Sequence, residues 1–284
     1  MSISKFASFT GMSRSSVIFY DEHGLFFPKS RGENGYRYYS PMQIVTVNFV
    51  NTLRSLDVPV KKIRELAHER TPEELVELLI EQDDILGSEI DRLTEAKKVI
   101  STMLGNIQNG FNINEDEISV RFMPSTRIIL GEENRFTKDG AFYKPYLEYC
   151  ARAKERGQNL NYPIGGYFDS MDASIENPRK PARFFSLDPD GHDKKSAGRY
   201  LVGYCRCYYG EPGDIAARML AYAREQELPL TGPVYQLYLF DEISLNKSDH
   251  YLLQTCVRIA EPPAAQSGHG SKRASNTMRA PRNS

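Results

Sequence analysis

Residues 3–40, ISKFASFTGMSRSSVIFYDEHGLFFPKSRGENGYRYYS, decide the fold of the N-terminal part of this chain. Apolar residues at helical spacing lead into Gly11, which can adopt a positive φ and end a first short helix. Ser13 can cap a second helix, and Gly24 can end it. Two short helices around so tight a turn predict a helix-turn-helix, although similar helix pairs also occur in ordinary cores.

A β-hairpin follows this helix pair. Asn34-Gly35 is a strong short-range hairpin signal, with charged residues before it and the run Tyr36-Arg37-Tyr38-Tyr39 after it. The sequence therefore predicts a basic, aromatic β-wing.

Three further helices are predicted from their N-terminal signals. Ser40-Pro41 offers an N-cap and a first-turn proline, and Pro59 opens the next helix. Thr71 and Glu74 have the spacing of a capping box at the start of the third, which reads as one long helix to about residue 107.

The long helix has an apolar residue at every seventh position. These residues are Leu79, Leu86, Leu93, Ile100 and Ile107. Such a stripe requires a partner surface. Packing against its own domain would explain it, but the many acidic residues on the other faces favour a seam between two copies of the chain.

Composition supports a folded protein. The 284 residues are 40% hydrophobic with a net charge of −1, which excludes the signature of disorder. Residues 1–72 hold ten Lys and Arg against six Asp and Glu, so the N-terminal unit is the basic one. Four cysteines are too few for a disulfide-stapled scaffold, and no apolar run is long enough to span a bilayer. We expect a soluble, cytoplasmic protein.

The C-terminal half alternates between strands and helices. Alternating runs at 118–124, 198–209, 233–240 and 250–261 predict strands, and two helical stretches lie between them. This pattern predicts an α+β domain. Residues 262–284 are rich in Pro, Ala, Ser and Gly with four basic residues, and they predict a disordered basic tail.

Residues 1–110 resemble the MerR family of transcription regulators. The resemblance is in the segments 19–25 (FYDEHGL), Pro28 and 35–40 (GYRYYS), together with the order of the elements. Two departures stand out, since the family usually has Arg where Ile18 stands and Gly where Asp57 stands. The resemblance implies an all-α winged helix-turn-helix with a long coiled-coil dimerisation helix.

The resemblance also implies a DNA-binding surface. Its residues are Arg14, Ser15, Tyr20, Tyr36, Arg37, Tyr38, Tyr39, Lys61 and Lys62. Recognition-helix side chains would enter the major groove, while wing residues would hold phosphates. Arg37 is the strongest candidate, and replacing it by Ala is predicted to lower both operator affinity and its salt dependence. For the four tyrosines, packing within the domain is the alternative.

Residues 118–261 resemble the GyrI-like effector-binding domain of the multidrug-responding (BmrR-like) branch. The similar segments are 198–200 (GRY), 234–237 (VYQL) and 257–261 (VRIAE). The resemblance implies a pocket that holds lipophilic cations between aromatic rings. Its residues by position are Phe142, Tyr143, Ile164, Tyr167, Tyr208, Gln236, Tyr238 and Tyr251. Gln236 replaces the expected acid, so either rings alone hold a cation, or Asp169 or Asp249 substitutes, or the ligands are not strictly cationic.

The sequence thus predicts four regions: a DNA-binding domain (1–72), a dimerisation helix (73–110), an effector-binding domain (111–261) and the tail (262–284). By resemblance, the protein is a homodimeric transcription activator on a palindromic promoter element with an over-long spacer. Binding of a lipophilic effector would distort this DNA for RNA polymerase. No enzymatic activity, cofactor, metal or membrane partner is expected.

Two alternatives stay open. Some GyrI-like domains resemble small-molecule hydrolases, but common catalytic motifs are absent from the sequence. The pair Cys205 and Cys207 could serve a redox or metal regulator, although buried apolar thiols explain it as well.

Overall fold

The computed structural model describes residues 1–68, 71–111, 113–114, 117–136, 142–246 and 251–261. The expected tail and Asp249 lie outside the described residues. The chain forms two compact units, Met1–Ala96 and the residues from Lys97 onward. Each unit is described on its own.

The first unit begins with the predicted helix pair. Helix α1 spans Ile3–Thr10 and helix α2 spans Arg14–Glu22. Gly11 ends α1 with a φ of 67°, in the left-handed region that favours glycine. The hydroxyl of Ser13 caps α2 by accepting a hydrogen bond from the Ser16 N–H at 2.9 Å. The turn and the cap are therefore confirmed.

The wing consists of two short antiparallel strands, β1 (Ser30–Arg31) and β2 (Arg37–Tyr38). Helix α3 spans Gln43–Ser55, and Ser40 caps the turn that leads into it. The Ser40 Oγ accepts from the Met42 N–H at 3.3 Å, and the Ser40 N–H donates to Gln43 Oε1 at 2.9 Å.

The last two helices of this region are α4 (Val60–His68) and α5 (Pro72–Gly110). The capping box at the start of α5 is confirmed in both directions. The Glu74 N–H donates to Thr71 Oγ1 at 3.2 Å, and the Thr71 N–H donates to Glu74 Oε2 at 3.1 Å.

One apolar core holds the first unit together. It joins residues from α1, α2, α3, α4 and the start of α5, including Phe6, Val17, Val47, Ile63 and Leu78. Four of the five residues of the predicted seam on α5 are exposed in the single chain, namely Leu79, Leu86, Leu93 and Ile100. None of the helices in the described ranges combines the length and the apolar composition that crossing a bilayer requires.

The second unit is built on an antiparallel sheet. Its strands are β3 (Ile118–Met123), β4 (Thr126–Leu130), β5 (Ile164–Phe168), β6 (Arg183–Ser186), β7 (Asp193–Lys195), β8 (Gly198–Cys207), β9 (Leu230–Phe240) and β10 (Tyr251–Ile259). The described strands are ordered β3-β8-β10-β9-β5-β6-β4-β7. Helices α6 (Tyr143–Glu155), α7 (Met171–Glu176) and α8 (Ile215–Glu225) complete the unit.

The two faces of the central strands carry separate cores. Leu201, Val234 and Val257 pack under α8 through Ile215 and Met219. The residues that alternate with them include Tyr200, Val202, Tyr235 and Cys256, and these pack on the other face. The α+β prediction is confirmed. The sequence missed α7 and strands β4 to β7, because these elements are short.

Candidate functional sites

The start of α2 presents polar side chains to solvent. Arg14 and Ser15 are its first two residues, and both are exposed. The Ser15 hydroxyl lies 2.8 Å from the Ser13 hydroxyl, so the cap also orients it. Residues at the N-terminus of a recognition helix are those that reach base edges in helix-turn-helix complexes.

The wing tyrosines divide into two groups. Tyr36 and Tyr38 are exposed, with 65% and 43% of their surface accessible. Tyr39 is only 2% exposed and stacks on Phe6 at 4.5 Å between ring centroids. Burial raises the pKa of Tyr39. Tyr39 is therefore a core residue of the first unit, which is the alternative that the sequence left open.

Tyr20 is also a packing residue. It is buried, and its hydroxyl donates to Asn51 Oδ1 at 2.8 Å, which links α2 to α3. Burial raises the pKa of Tyr20. Its ring does not form part of the exposed surface of α2. Tyr20 and Tyr39 are both buried, so neither ring is placed to make the predicted DNA contact.

Arg37 is held by a carboxylate that the sequence reasoning missed. Its Nε donates to Asp21 Oδ2 at 2.6 Å, and Arg31 forms an ion pair with the same oxygen. The Asp21 side chain is 3% exposed, whereas that of Arg37 is 23% exposed. Hydrogen bonding to Asp21 raises the pKa of Arg37. Asp21, the first of two adjacent acids at the end of α2, was the signal that could have revealed this clamp.

The two predicted lysines of α4 differ in their surroundings. Lys61 is exposed, with its Nζ 3.9 Å from Glu65 one turn along the helix. Lys62 forms an ion pair with Glu81 on α5. Lys61 therefore leaves its charge more available to an anionic partner than Lys62 does, because a surface pair of this length contributes little.

In the second unit, four of the eight predicted ligand residues line one cavity, which we call the aromatic cavity. These four are Phe142, Ile164, Gln236 and Tyr238. The cavity is also lined by Phe168, Phe184, Tyr209 and several Gly and Pro residues. Its free volume is about 30 Å³, which is room for little more than one water molecule. The cavity is therefore too small for a drug-sized molecule.

The other four predicted ligand residues lie elsewhere. Tyr143 and Tyr208 are exposed. Tyr167 packs edge-on against Tyr235 at 5.5 Å, because it points to the sheet face opposite that of Phe168. Tyr251 is buried behind Tyr238, at 6.3 Å between ring centroids. These four residues do not line the aromatic cavity, and their contact with a ligand stays a prediction.

Tyr209 is the main residue that the sequence reasoning missed. Its ring stacks on Tyr238 at 4.7 Å with an angle of 15° between the planes. The Tyr238 hydroxyl accepts from the Gly210 N–H at 2.7 Å and donates to the Tyr208 carbonyl at 3.0 Å. This loop thus fixes one ring of the stack. The neighbouring Tyr208 was named instead, since sequence does not say which of two adjacent tyrosines turns inward.

Gln236 supplies an unused donor in the wall of the aromatic cavity. Its side chain is buried, and its Nε2 has no hydrogen-bond partner among the described residues. No acidic residue lines this cavity within the described ranges. Asp169 lies in a separate surface cleft beside α8, so it does not replace the missing acid.

The cysteine pair is part of the packed β8 strand. The Cys205 thiol donates to the Pro212 carbonyl at 3.4 Å. Hydrogen bonding to Cys207 and burial raise the pKa of Cys205, so this thiol stays protonated at neutral pH. The described part of the chain contains no group of three His, Cys, Asp or Glu residues placed to hold a metal ion.

Comparisons with known proteins agree with this arrangement. Residues 1–70 match the MerR HTH family of regulatory proteins. The chain is 21% identical to the multidrug-efflux transporter 2 regulator of Bacillus subtilis (strain 168), over 90% of this chain and 95% of that protein. It is also 21% identical to the multidrug-efflux transporter 1 regulator of the same strain, over 92% and 98% of the two chains.

Among solved structures, the cryo-EM structure of the EcmrR–DNA complex in EcmrR-RPo aligns with 92% of this chain and all of that one, at 12% identity and a TM-score of 0.38. From the family match, residues 1–70 therefore form a MerR-type helix-turn-helix domain.

Proposed function

We propose that this protein is a ligand-responsive transcription activator that binds promoter DNA as a homodimer. The observation that carries the proposal is the exposed start of α2, Arg14 and Ser15, next to a wing that the buried Asp21 clamps to the same helix. A rigid helix and wing can enter the major groove and hold the flanking phosphates together. Residues 1–72 are the DNA-binding region in this proposal.

Dimerisation would use residues 73–110. The stripe on α5 leaves large apolar side chains exposed in the single chain, including Leu86 and Leu93. Contact with a second copy would remove this apolar surface from water and bring two DNA-binding regions to a palindromic site. Ile107 is half-buried and lines a cavity of the second unit, so we end the seam at Ile100.

The effector would bind within residues 111–261. The free volume of the aromatic cavity is about 30 Å³, so a drug-sized molecule requires the rings of Phe142 or Tyr209 to move. A ligand that binds the open form better than the closed one would shift the population toward it. The protein would then distort the promoter DNA, and RNA polymerase in the cytoplasm would respond to this distortion. The relatives that regulate multidrug-efflux transporters suggest lipophilic drugs as the effector class.

The proposal can be tested with full-length protein. DNA sites are first selected from a random library, and affinity is then measured at several salt concentrations. Arg14→Ala should weaken binding and lower the salt slope by about one, since each phosphate contact contributes about 0.9. Arg199→Ala removes an exposed cation from the second unit and serves as the matched control. Recovery of no preferred palindromic site, or equal loss in both variants, would overturn the DNA-binding role.

A further inference from the structure

Lys195 is a buried lysine in the second unit. It is the last residue of β7, at one edge of the sheet, and only 8% of its surface is exposed. Its Nζ lies 4.9 Å from the ring centroid of Tyr200 and 5.2 Å from that of Tyr235. Rings at this distance stabilise an ammonium group that has left water. Both rings belong to the apolar core on one face of the sheet, so the side chain runs from the edge into that core.

The hydrogen bonds of this amine go to sulfur. Lys195 Nζ donates to Cys256 Sγ at 3.0 Å and to Met123 Sδ at 3.5 Å. Asp193, two residues earlier on β7, instead accepts from the Leu130 N–H at 2.9 Å. Sulfur is a weak acceptor, and a buried lysine normally requires a carboxylate to offset the loss of water. The contacts therefore place an amine beside a thiol without the partner that usually accounts for burial.

Cys256 has no disulfide partner on the neighbouring strand. It is a free cysteine in the middle of β10 and is 1% exposed. Cys205 and Cys207 on β8 lie three and five residues out of register with it. At about 3.3 Å per residue, the nearer of the two is about 10 Å away along the strand, which is too far for a disulfide. The nucleophile in contact with the Cys256 sulfur is the Lys195 amine.

We propose that Lys195 and Cys256 close to a covalent sulfenamide when the protein meets hydrogen peroxide. The Cys256 sulfur attacks one peroxide oxygen, the O–O bond breaks, and a sulfenic acid and water form. Sulfur is oxidised by two electrons, and the peroxide is reduced. Lys195 Nζ, having given one proton to solvent, then attacks the sulfenic sulfur. The S–O bond breaks, the leaving hydroxide takes a second proton from nitrogen to form water, and an N–S bond remains.

The geometry favours this second step over the competing reactions of a sulfenic acid. Nζ and Sγ are already in contact, so the attack requires no diffusion. Cys256 is too deeply buried for a bulky thiol to reach its sulfenic acid first. Hydrogen peroxide is much smaller, and β7 is an edge strand of three residues, whose local opening exposes the pair. Capture by Lys195 is therefore the fastest route open to the oxidised sulfur.

The cross-link would join an edge strand of the sheet to a central one. Lys195 and Cys256 are 61 residues apart in the chain. Closing a loop of this length lowers the entropy of the unfolded chain, as a disulfide does. A thiol reductant reverses the bond, because it attacks the sulfur and releases the amine. The second unit thus contains a reversible staple, independent of the proposed ligand and DNA binding.

The test uses full-length protein, reduced and then freed of reductant. It is treated with a small excess of hydrogen peroxide, unfolded in iodoacetamide and digested. Mass spectrometry should find the peptides of Lys195 and Cys256 joined, at a mass two hydrogen atoms below their sum, and dithiothreitol should separate them. Lys195→Arg keeps the positive charge without a nucleophilic amine, so it should lose the joined peptide. The matched control is Lys194→Arg, an exposed neighbour on β7, which should retain it.

Thermal unfolding gives a second readout. The midpoint of the oxidised protein should rise by several degrees and return with dithiothreitol. Cys256→Ala, which leaves the lysine in place, should abolish this shift and serves if Lys195→Arg fails to fold. The partly exposed Cys150 reports whether peroxide has acted. Oxidation of Cys150 while Cys256 stays a free thiol would overturn the proposal, as would a joined peptide in Lys195→Arg.

Discussion

The guanidinium Nε of Arg37 lies 2.6 Å from Oδ2 of Asp21, and this contact joins the wing to the recognition helix. Arg31, on the other wing strand, pairs with the same oxygen. One buried carboxylate thus holds both strands of the wing against α2. Orientation of the wing depends on an interaction made within the protein before any DNA is bound.

Asp21→Asn should destabilise the DNA-binding region. The change leaves two guanidinium groups beside a neutral amide, and loss of one partner from a buried ion pair is costly. Because both arginines remain partly exposed, we expect a loss of about 2 kcal/mol in the free energy of unfolding. Thermal unfolding followed by circular dichroism measures it. Asp172→Asn on α7 is a control in the other unit, and an equal effect there would contradict the clamp.

Arg37→Ala should weaken operator binding several-fold without the full change in salt slope that a phosphate contact gives. Asp21, which it shares with Arg31, and Glu22 at 3.9 Å offset part of its charge, so fewer counterions are released when it meets DNA than for a free arginine. The comparison is with Arg14→Ala, for which the slope should fall by about one. A slope reduced equally in both variants would instead establish the direct phosphate contact of Arg37 that the sequence suggests.

Tyr20→Phe and Tyr39→Phe should differ although both rings are buried. Tyr20 loses its hydrogen bond to Asn51 Oδ1, at a cost of about 1 kcal/mol. The Tyr39 hydroxyl has no partner in the described part of the chain, so its removal should leave stability within about 0.5 kcal/mol of the original. Chemical denaturation measures both. Similar losses in the two variants would show that the Tyr39 hydroxyl makes a contact of its own.

Asp57→Gly should stabilise the protein. Asp57 has a φ of 57° at the end of α3, in the left-handed region where a side chain is unfavourable, and the family usually has Gly there. Relief of this strain exceeds the added entropy of the unfolded chain, so we expect a gain of about 0.5 kcal/mol. The unfolding midpoint in urea measures the gain. Ser55→Gly, in the last turn of α3, is the control and should destabilise.

Stability should fall at alkaline pH partly through Tyr146. Burial raises the pKa of Tyr146 to about 12 from its ordinary value of 10. The folded state thus holds this proton more tightly than the unfolded state. The contribution is complete below pH 10 and is lost as the pH rises toward 12. In Tyr146→Phe the free energy of unfolding should decline less steeply across this window, and parallel curves for the two proteins would contradict the prediction.

Local sequence signals determined much of the fold. Gly11, the Ser13 cap and the Thr71–Glu74 box each act through residues within four positions, so the helices of the first unit could be predicted from the residues that form them. The strands β8 and β10 were predictable because their alternation runs over nine residues or more. Strands such as β7, with three residues, contain too little pattern to be recognised.

Only the tertiary structure decided which side chains form the sites. The aromatic cavity draws its walls from Phe142, from the strands β5, β6, β9 and β10, and from the loops at 178–181 and 209–212, so no sequence window contains it. A shift of one residue turns a strand side chain to the other face, which is why Phe168 lines the cavity and Tyr167 does not. In the same way, the sequence predicted a basic, aromatic wing but not the surroundings of its side chains. Stacking on Phe6 makes Tyr39 a core residue, and the ion pair with Asp21 holds Arg37. Periodicity and capping are properties of neighbouring residues, whereas burial and ion pairing depend on residues that only folding brings together.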